Sequence, residues 1–242
     1  MKKIKLLTIM AILLAFSCSV YSQQIYVKAG VGYGFSLAEQ KIYDAGISST
    51  NFDIQYGSFN EGTAVHAGFG YNINNNFAVE LDGSYMFGGK YEYNIIQSGT
   101  NANILNKWYA NTISIIPSLV LKVPSEKVSP YSRLGVVFGI PTKYYEATTS
   151  LKSGTYKLKE TGGLGIGFQG AFGINYNSGN NIDLFAEVYG TAMSWSPSTL
   201  ENTENFSGVP LEPTITYEST FTKVAGDNKA EKPKYPFSNF GI

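Results

Sequence analysis

The sequence predicts an all-β chain folded as an antiparallel transmembrane β-barrel of eight strands. Three observations carry that prediction. Apolar residues alternate with small or polar ones over runs of roughly 10–15 residues, longer than the usual ~5–6 of soluble strands. Short and long links between those runs take turns along the chain. The composition also leaves little else: of 242 residues, 43% are hydrophobic, 14% aromatic and only 15% charged, with 26 glycines. So much aromatic and β-branched surface would collapse in water, which excludes disorder. Beyond the first 20 or so residues no apolar run approaches the ~20 that a spanning helix needs. Abundant Gly, Tyr, Asn and Ser argue against a helix bundle.

Residues 1–22 read as a signal peptide and 23–242 as the barrel domain. Lys2, Lys3 and Lys5 form a basic start, Leu6 to Phe16 an apolar stretch, and Val20-Tyr21-Ser22 a small-residue cleavage signal. Lipidation at Cys18 is the competing reading, and Ala15 stands where such signals usually carry Leu. Removing the leader takes three of 18 basic residues against 18 acidic ones, so the mature chain carries a net charge of −3. It then has no cysteine, which excludes a disulfide framework or a zinc-thiolate site. Its weak acidity offers no footprint for nucleic acid.

The strands follow in order. Val27, Ala29, Val31, Tyr33, Phe35 and Leu37 alternate with Lys28, Gly30, Gly32, Gly34 and Ser36. Val65, Ala67, Phe69, Tyr71 and Ile73 alternate with Ala64, His66, Gly68, Gly70 and Asn72. Phe77, Val79, Leu81, Tyr85 and Phe87 share a parity opposite Ala78, Glu80, Asp82, Ser84 and Met86. Further strands read at 108–123, 131–143, 163–176 and 182–195. In the 163–176 run, Leu164, Ile166, Phe168, Phe172 and Ile174 oppose Gly163, Gly165, Gly167, Gln169 and Ala171. The links at 72–76, 124–130 and 177–181 are short and turn-rich, while 38–60, 90–106, 145–159 and 197–235 read as long polar loops. In a transmembrane barrel, short links are periplasmic turns and long ones outer loops. The eighth strand is placed at Tyr235 to Ile242, with Thr214 to Val224 as the alternative.

If the apolar parity faces lipid, the other faces the lumen, which then holds Lys28, His66, Glu80, Asp82, Lys122, Arg133, Asp183 and Glu187. An eight-stranded interior is only wide enough to be filled by side chains. Buried charges there must pair. Lys28 and Arg133 lie at comparable heights to Glu80, Asp82 and Glu187, so these five are expected to form one structural salt-bridge network that plugs the lumen. The rival reading is a polar conduit or small binding cavity. His66 is the only histidine, so neither a metal site nor a hydrolytic site is expected, and it reads as a hydrogen-bonded lumen residue. His66-Ala67-Gly68 also lacks the serine two residues after histidine seen in outer-membrane lipid-A deacylases. The Gly30-Val-Gly32-Tyr-Gly34 and Gly163-Leu-Gly165-Ile-Gly167 runs lack the following helix that a phosphate loop needs. Their glycines are taken as inward strand positions. Tyr26, Tyr71, Phe77, Trp108, Tyr109, Tyr131, Tyr176 and Trp195 lie near strand ends, as girdle aromatics do. Tyr43, Phe52, Tyr56, Phe59, Tyr144, Tyr145 and Tyr217 are loop aromatics able to form a partner surface.

The leader, the seven glycine-rich alternating strands and the turn pattern resemble the outer-membrane β-barrel domain family of Gram-negative bacteria, small OmpA-like barrels of eight strands. The resemblance covers residues 25–196, and Pro130-Tyr131-Ser132-Arg133-Leu134-Gly135 looks like that family's strand openings. Ile242 stands where that family's last strand usually carries an aromatic residue, so a short or cut final strand is expected. The resemblance implies an outer-membrane location, with outer-membrane lipid and the barrel-assembly machinery as partners. No cofactor and no enzymatic activity are expected. The expected role is structural or interactive, through outer loops whose partner the sequence does not name. The alternatives are a narrow channel or small-ligand transporter, and a soluble lipocalin-type barrel with the faces inverted.

Overall fold

The computed structural model describes residues 25–43, 55–97, 102–179, 182–219 and 226–242. The leader at 1–22, with Cys18, and the loop aromatic Phe52 lie outside them. Among the described residues sixteen strands are formed: β1 (Ile25–Ser36), β2 (Gln40–Tyr43), β3 (Gln55–Gly57), β4 (Gly62–Asn72), β5 (Phe77–Gly88), β6 (Tyr91–Gln97), β7 (Ala102–Lys122), β8 (Val128–Thr149), β9 (Lys152–Thr161), β10 (Gly165–Asn177), β11 (Asp183–Trp195), β12 (Thr199–Glu204), β13 (Ile215–Glu218), β14 (Lys229–Glu231), β15 (Tyr235–Pro236) and β16 (Asn239–Gly241). Eight of them close a ring in the order β1, β4, β5, β7, β8, β10, β11, β16 and back to β1, each neighbour antiparallel.

The short links are tight because their side chains replace missing backbone partners. Asn74 Oδ1 accepts from the amides of Asn76 and Phe77 at 2.8 and 2.9 Å, an Asx turn between β4 and β5. Asn177 Oδ1 accepts from Gly179 at 2.8 Å, and Gly179 adopts φ +88°, which favours glycine.

At the opposite end the long stretches are not simply loops. Strands β7 and β8 run for 21 and 22 residues and outgrow the ring. Their free outer edges pair with β6 and β9, and β12, β13 and β14 extend the sheet from β9. A sheet edge presents a row of unpaired backbone groups and so templates its neighbours even where side chains are polar. The eighth strand falls within 235–242 as β16, pairing β1 at Ser36–Gly34 and β11 at Thr191–Tyr189. The alternative segment contributes β13 to the outer sheet, not to the ring.

The faces divide as the alternation requires. Val31, Phe69, Leu81, Ile115, Leu134 and Phe168 are exposed on the outside, while Ala64, Ala78, Val120, Val137 and Ala171 are buried inside. Outward aromatics bound that apolar band. Tyr71, Phe77 and Tyr176 stand at the turn end. At the other end Tyr33 meets Phe35, Tyr85 meets Phe87 and Tyr109 stacks on Tyr144, with ring centroids 4.6–5.0 Å apart. Four of the expected girdle residues point inward instead: Tyr26, Trp108, Tyr131 and Trp195. Each sits on the lumen parity of its strand, which overrides its position near a strand end. Gly163 is likewise not a strand position: Gly162 and Gly163 turn through φ +78° and +73° before β10 begins at Gly165.

Candidate functional site

The turn-side half of the lumen holds all five expected network residues in contact. Glu80 and Asp82 are one period apart on β5 and project inward together. Lys28, from β1, bridges them, with Nζ 2.6 Å from Glu80 Oε2 and 2.7 Å from Asp82 Oδ2. Arg133 enters from β8 on the far side, and its guanidinium reaches Asp82 Oδ2 at 2.6 Å and Glu187 Oε1, on β11, at 2.5 Å. Its Nε also donates to Glu187 Oε2 at 3.2 Å and lies 3.9 Å from Glu80. Asp82 and Arg133 are almost fully buried. Bidentate guanidinium–carboxylate geometry is among the strongest charge-assisted arrangements available. The bridges skip one strand each, β1 to β5, β5 to β8 and β8 to β11, so together they tie four alternate strands of the ring across the lumen.

Two further members lie on the same parity. Tyr26 donates its hydroxyl to Glu80 Oε1 at 2.5 Å, and Tyr131 donates to Glu187 Oε2 at 3.0 Å. Each phenol ring lies against a glycine of the neighbouring strand: Tyr26 over Gly70 and Tyr131 over Gly173, where a Cβ would clash with the ring. The inward glycines thus make room for inward tyrosines. Lys122 sits at the turn-end mouth, donating to Asn72 Oδ1 at 2.8 Å with its ammonium 4.2 Å from the Tyr26 ring. Asp183 is exposed at the same mouth and takes no part in the network.

His66 occupies the lumen just beyond the network, edge-on to Tyr189 at 6.0 Å between centroids. The expected hydrogen bond is missing at Nε2, which finds no partner among the described residues, and the same holds for Thr112 Oγ1, Gln169 Oε1 and the Tyr189 hydroxyl. These atoms border a small mid-lumen void of about 30 Å³. Ser84 stands opposite His66 across the β4–β5 pair, but among the described residues no hydrogen bond joins His66 to a serine or a carboxylate, and no cluster of His, Cys, Asp and Glu there has metal-binding geometry.

The outer half is sealed differently, by an apolar cluster that includes Phe59, Met193, Trp195 and Phe237. Phe59 reaches in from the link between β3 and β4, and Asn60 Nδ2 ties that link to Phe237 O at 3.1 Å. Trp195 donates to Gly162 O at 2.9 Å. Lys143 caps the cluster. Its ammonium meets Glu160 at 3.0 Å and lies 4.1, 4.7 and 5.0 Å from the rings of Tyr235, Trp108 and Phe59. Above it Tyr217 donates to Glu160 at 2.8 Å, and burial with that carboxylate pushes the phenol well above its usual range. Phe59, Tyr145 and Tyr217, expected as surface aromatics, therefore serve the outer closure. Tyr145 lies tilted against Trp108, ring centroids 4.3 Å apart, and donates to Asn106. Tyr43 and Tyr56 lie in β2 and β3.

A family model described as outer membrane protein beta-barrel domain matches residues 8–208. A comparison with curated proteins found no match.

Proposed function

Because the chain belongs to the outer membrane β-barrel domain family, we propose that it is a closed-lumen barrel of a Gram-negative outer membrane, with a structural or surface-interaction role and no enzymatic chemistry. The observation that carries this reading is the double closure of the lumen. Ion pairs between strands two apart in the ring cross the turn-side half, and an apolar aromatic cluster fills the outer half. A conduit would need a continuous polar path, whereas Trp195 and Phe237 are 1% and 0% exposed across the outer end. The sheet that rises beyond the rim, built on β7 and β8 and carried out to β6 and β14, supplies a broad surface for a partner. Outer-membrane lipid and the barrel-assembly machinery are its expected contacts.

Liposome swelling tests the reading. Proteoliposomes holding the purified protein should stay impermeable to small sugars and amino acids. Swelling at a porin-like rate would instead favour the narrow channel or transporter.

A further inference from the structure

Four unpaired polar atoms gather in the middle of the lumen. Thr112 Oγ1, Gln169 Oε1, the Tyr189 hydroxyl and Asn239 Oδ1 each lack a hydrogen-bond partner among the described residues, and these side chains belong to residues only 1–6% exposed. All four residues line the void of about 30 Å³, which Met193, Ile116 and Val137 of the apolar cluster bound as well. Burying an unbonded hydroxyl or amide oxygen is costly, so native interiors satisfy nearly all of them with protein or with water. Four around one void call for one shared partner.

Strand positions explain why the protein does not pair these atoms itself. Thr112 is on β7 and Asn239 on β16, opposite each other in the eight-stranded ring, with Gln169 and Tyr189 between them on β10 and β11. Threonine and asparagine are too short to meet across an interior of that width. Gln169 donates its Nε2 to Thr191 Oγ1 at 3.0 Å, which leaves its oxygen as the unpaired end. Asn239 Nδ2 lies 3.9 Å from Met86 Sδ, so its oxygen is the unpaired end too.

We propose that this void is a hydration site for two water molecules that bridge β7, β10, β11 and β16 across the lumen. Size and chemistry select the occupant. One water needs at least ~10–15 Å³ of such space, so about 30 Å³ takes two and admits no sugar, amino acid or other organic solute. Two amide oxygens that only accept and two hydroxyls that also donate suit water, which does both. A dehydrated cation would meet the oxygens but no carboxylate, since none lines the void among the described residues, and its charge would stay buried without offset. The Thr112 and Tyr189 hydroxyls donate to the waters, and the waters donate to Gln169 and Asn239. His66 Nε2 borders the same void, but alanine there only makes room for a further water, so the site does not need the imidazole.

Two shape-conserving substitutions and a diffraction experiment test this. Removing a buried hydroxyl that has no partner relieves a desolvation cost and stabilises, whereas removing one that a water holds breaks a bond and strands the water. Thr112→Val and Tyr189→Phe should therefore each lower the melting temperature in detergent, by roughly 2–4 °C. A crystal structure of the detergent-solubilised protein, at a resolution that shows waters, should place two of them within ~3.2 Å of the four atoms. A parent protein that conducts with both waters in place would count against the closed lumen and still support the site. A rise in melting temperature for either variant, or a void without water density, would overturn the proposal.

Discussion

Replacing Arg133 with alanine removes the link from β8 to β5 and β11, and the structure says which charge is stranded. Asp82 and Glu80 both keep Lys28, at 2.7 and 2.6 Å, and Glu80 keeps the Tyr26 hydroxyl. Among the contacts described, Glu187 keeps only the Tyr131 hydroxyl. Breaking a buried ion pair from one side typically costs ~3–5 kcal/mol, because the remaining charge stays buried. Arg133→Ala should therefore lower barrel stability by that amount. At ~2–4 °C per kcal/mol for a chain of this size, the melting temperature falls by roughly 6–20 °C. Adding Glu187→Gln removes the stranded charge and should recover at least half of the loss. The assay is thermal unfolding in detergent, read in parallel as loss of heat-modifiable gel mobility. A loss below about 1 kcal/mol would show that the network does not bind the walls. Equally damaging would be a double variant less stable than Arg133→Ala alone, since that excludes Glu187 as the uncompensated partner.

Other expectations follow from the faces and the outer seal. Phe168→Arg, on the outward face at mid-strand, should cost ~2–4 kcal/mol of barrel stability, while Gly165→Ser on the lumen face should cost less, as urea titration in lipid vesicles would show. Equal losses would contradict the face assignment. Phe237→Ala empties the centre of the outer cluster and should cost ~3–5 kcal/mol in the same titration, with loosened Trp195 fluorescence as its signature. His66→Ala should leave the fold almost as stable, within about 1 kcal/mol, since Nε2 has no hydrogen bond to lose. Neither that variant nor the parent should hydrolyse lipid or peptide esters, and an esterase activity abolished by His66→Ala would refute the non-enzymatic reading.

Strict period-two alternation makes the lumen face readable in the sequence itself. Lys28, Glu80, Asp82, Arg133 and Glu187 share the inward parity, and turn positions fix their heights, so their meeting follows from strand geometry. The same rule, applied consistently, would have placed Tyr26 and Tyr131 in the network, since each stands two residues from a network cation on its own strand. Nearness to a strand end pointed instead to a girdle. The outer seal was not legible in that way. Phe59 and Phe237 come from irregular segments with no period to fix their direction, and only packing against Trp195 and Met193 aims them inward. Strands β6, β9 and β12 were hidden for a related reason. Their polar sequences pair because β7 and β8 offer free edges, a tertiary cause that local composition does not report.

Single-channel recording in planar bilayers tests the closed lumen most directly. The parent protein should show little or no conductance, and Arg133→Ala alone should remain poorly conducting because Phe59, Trp195 and Phe237 still seal the outer half. Combining Arg133→Ala with Phe237→Ala should open measurable, noisy currents. A large, steady conductance in the parent protein, unchanged by Arg133→Ala, would contradict the closed lumen.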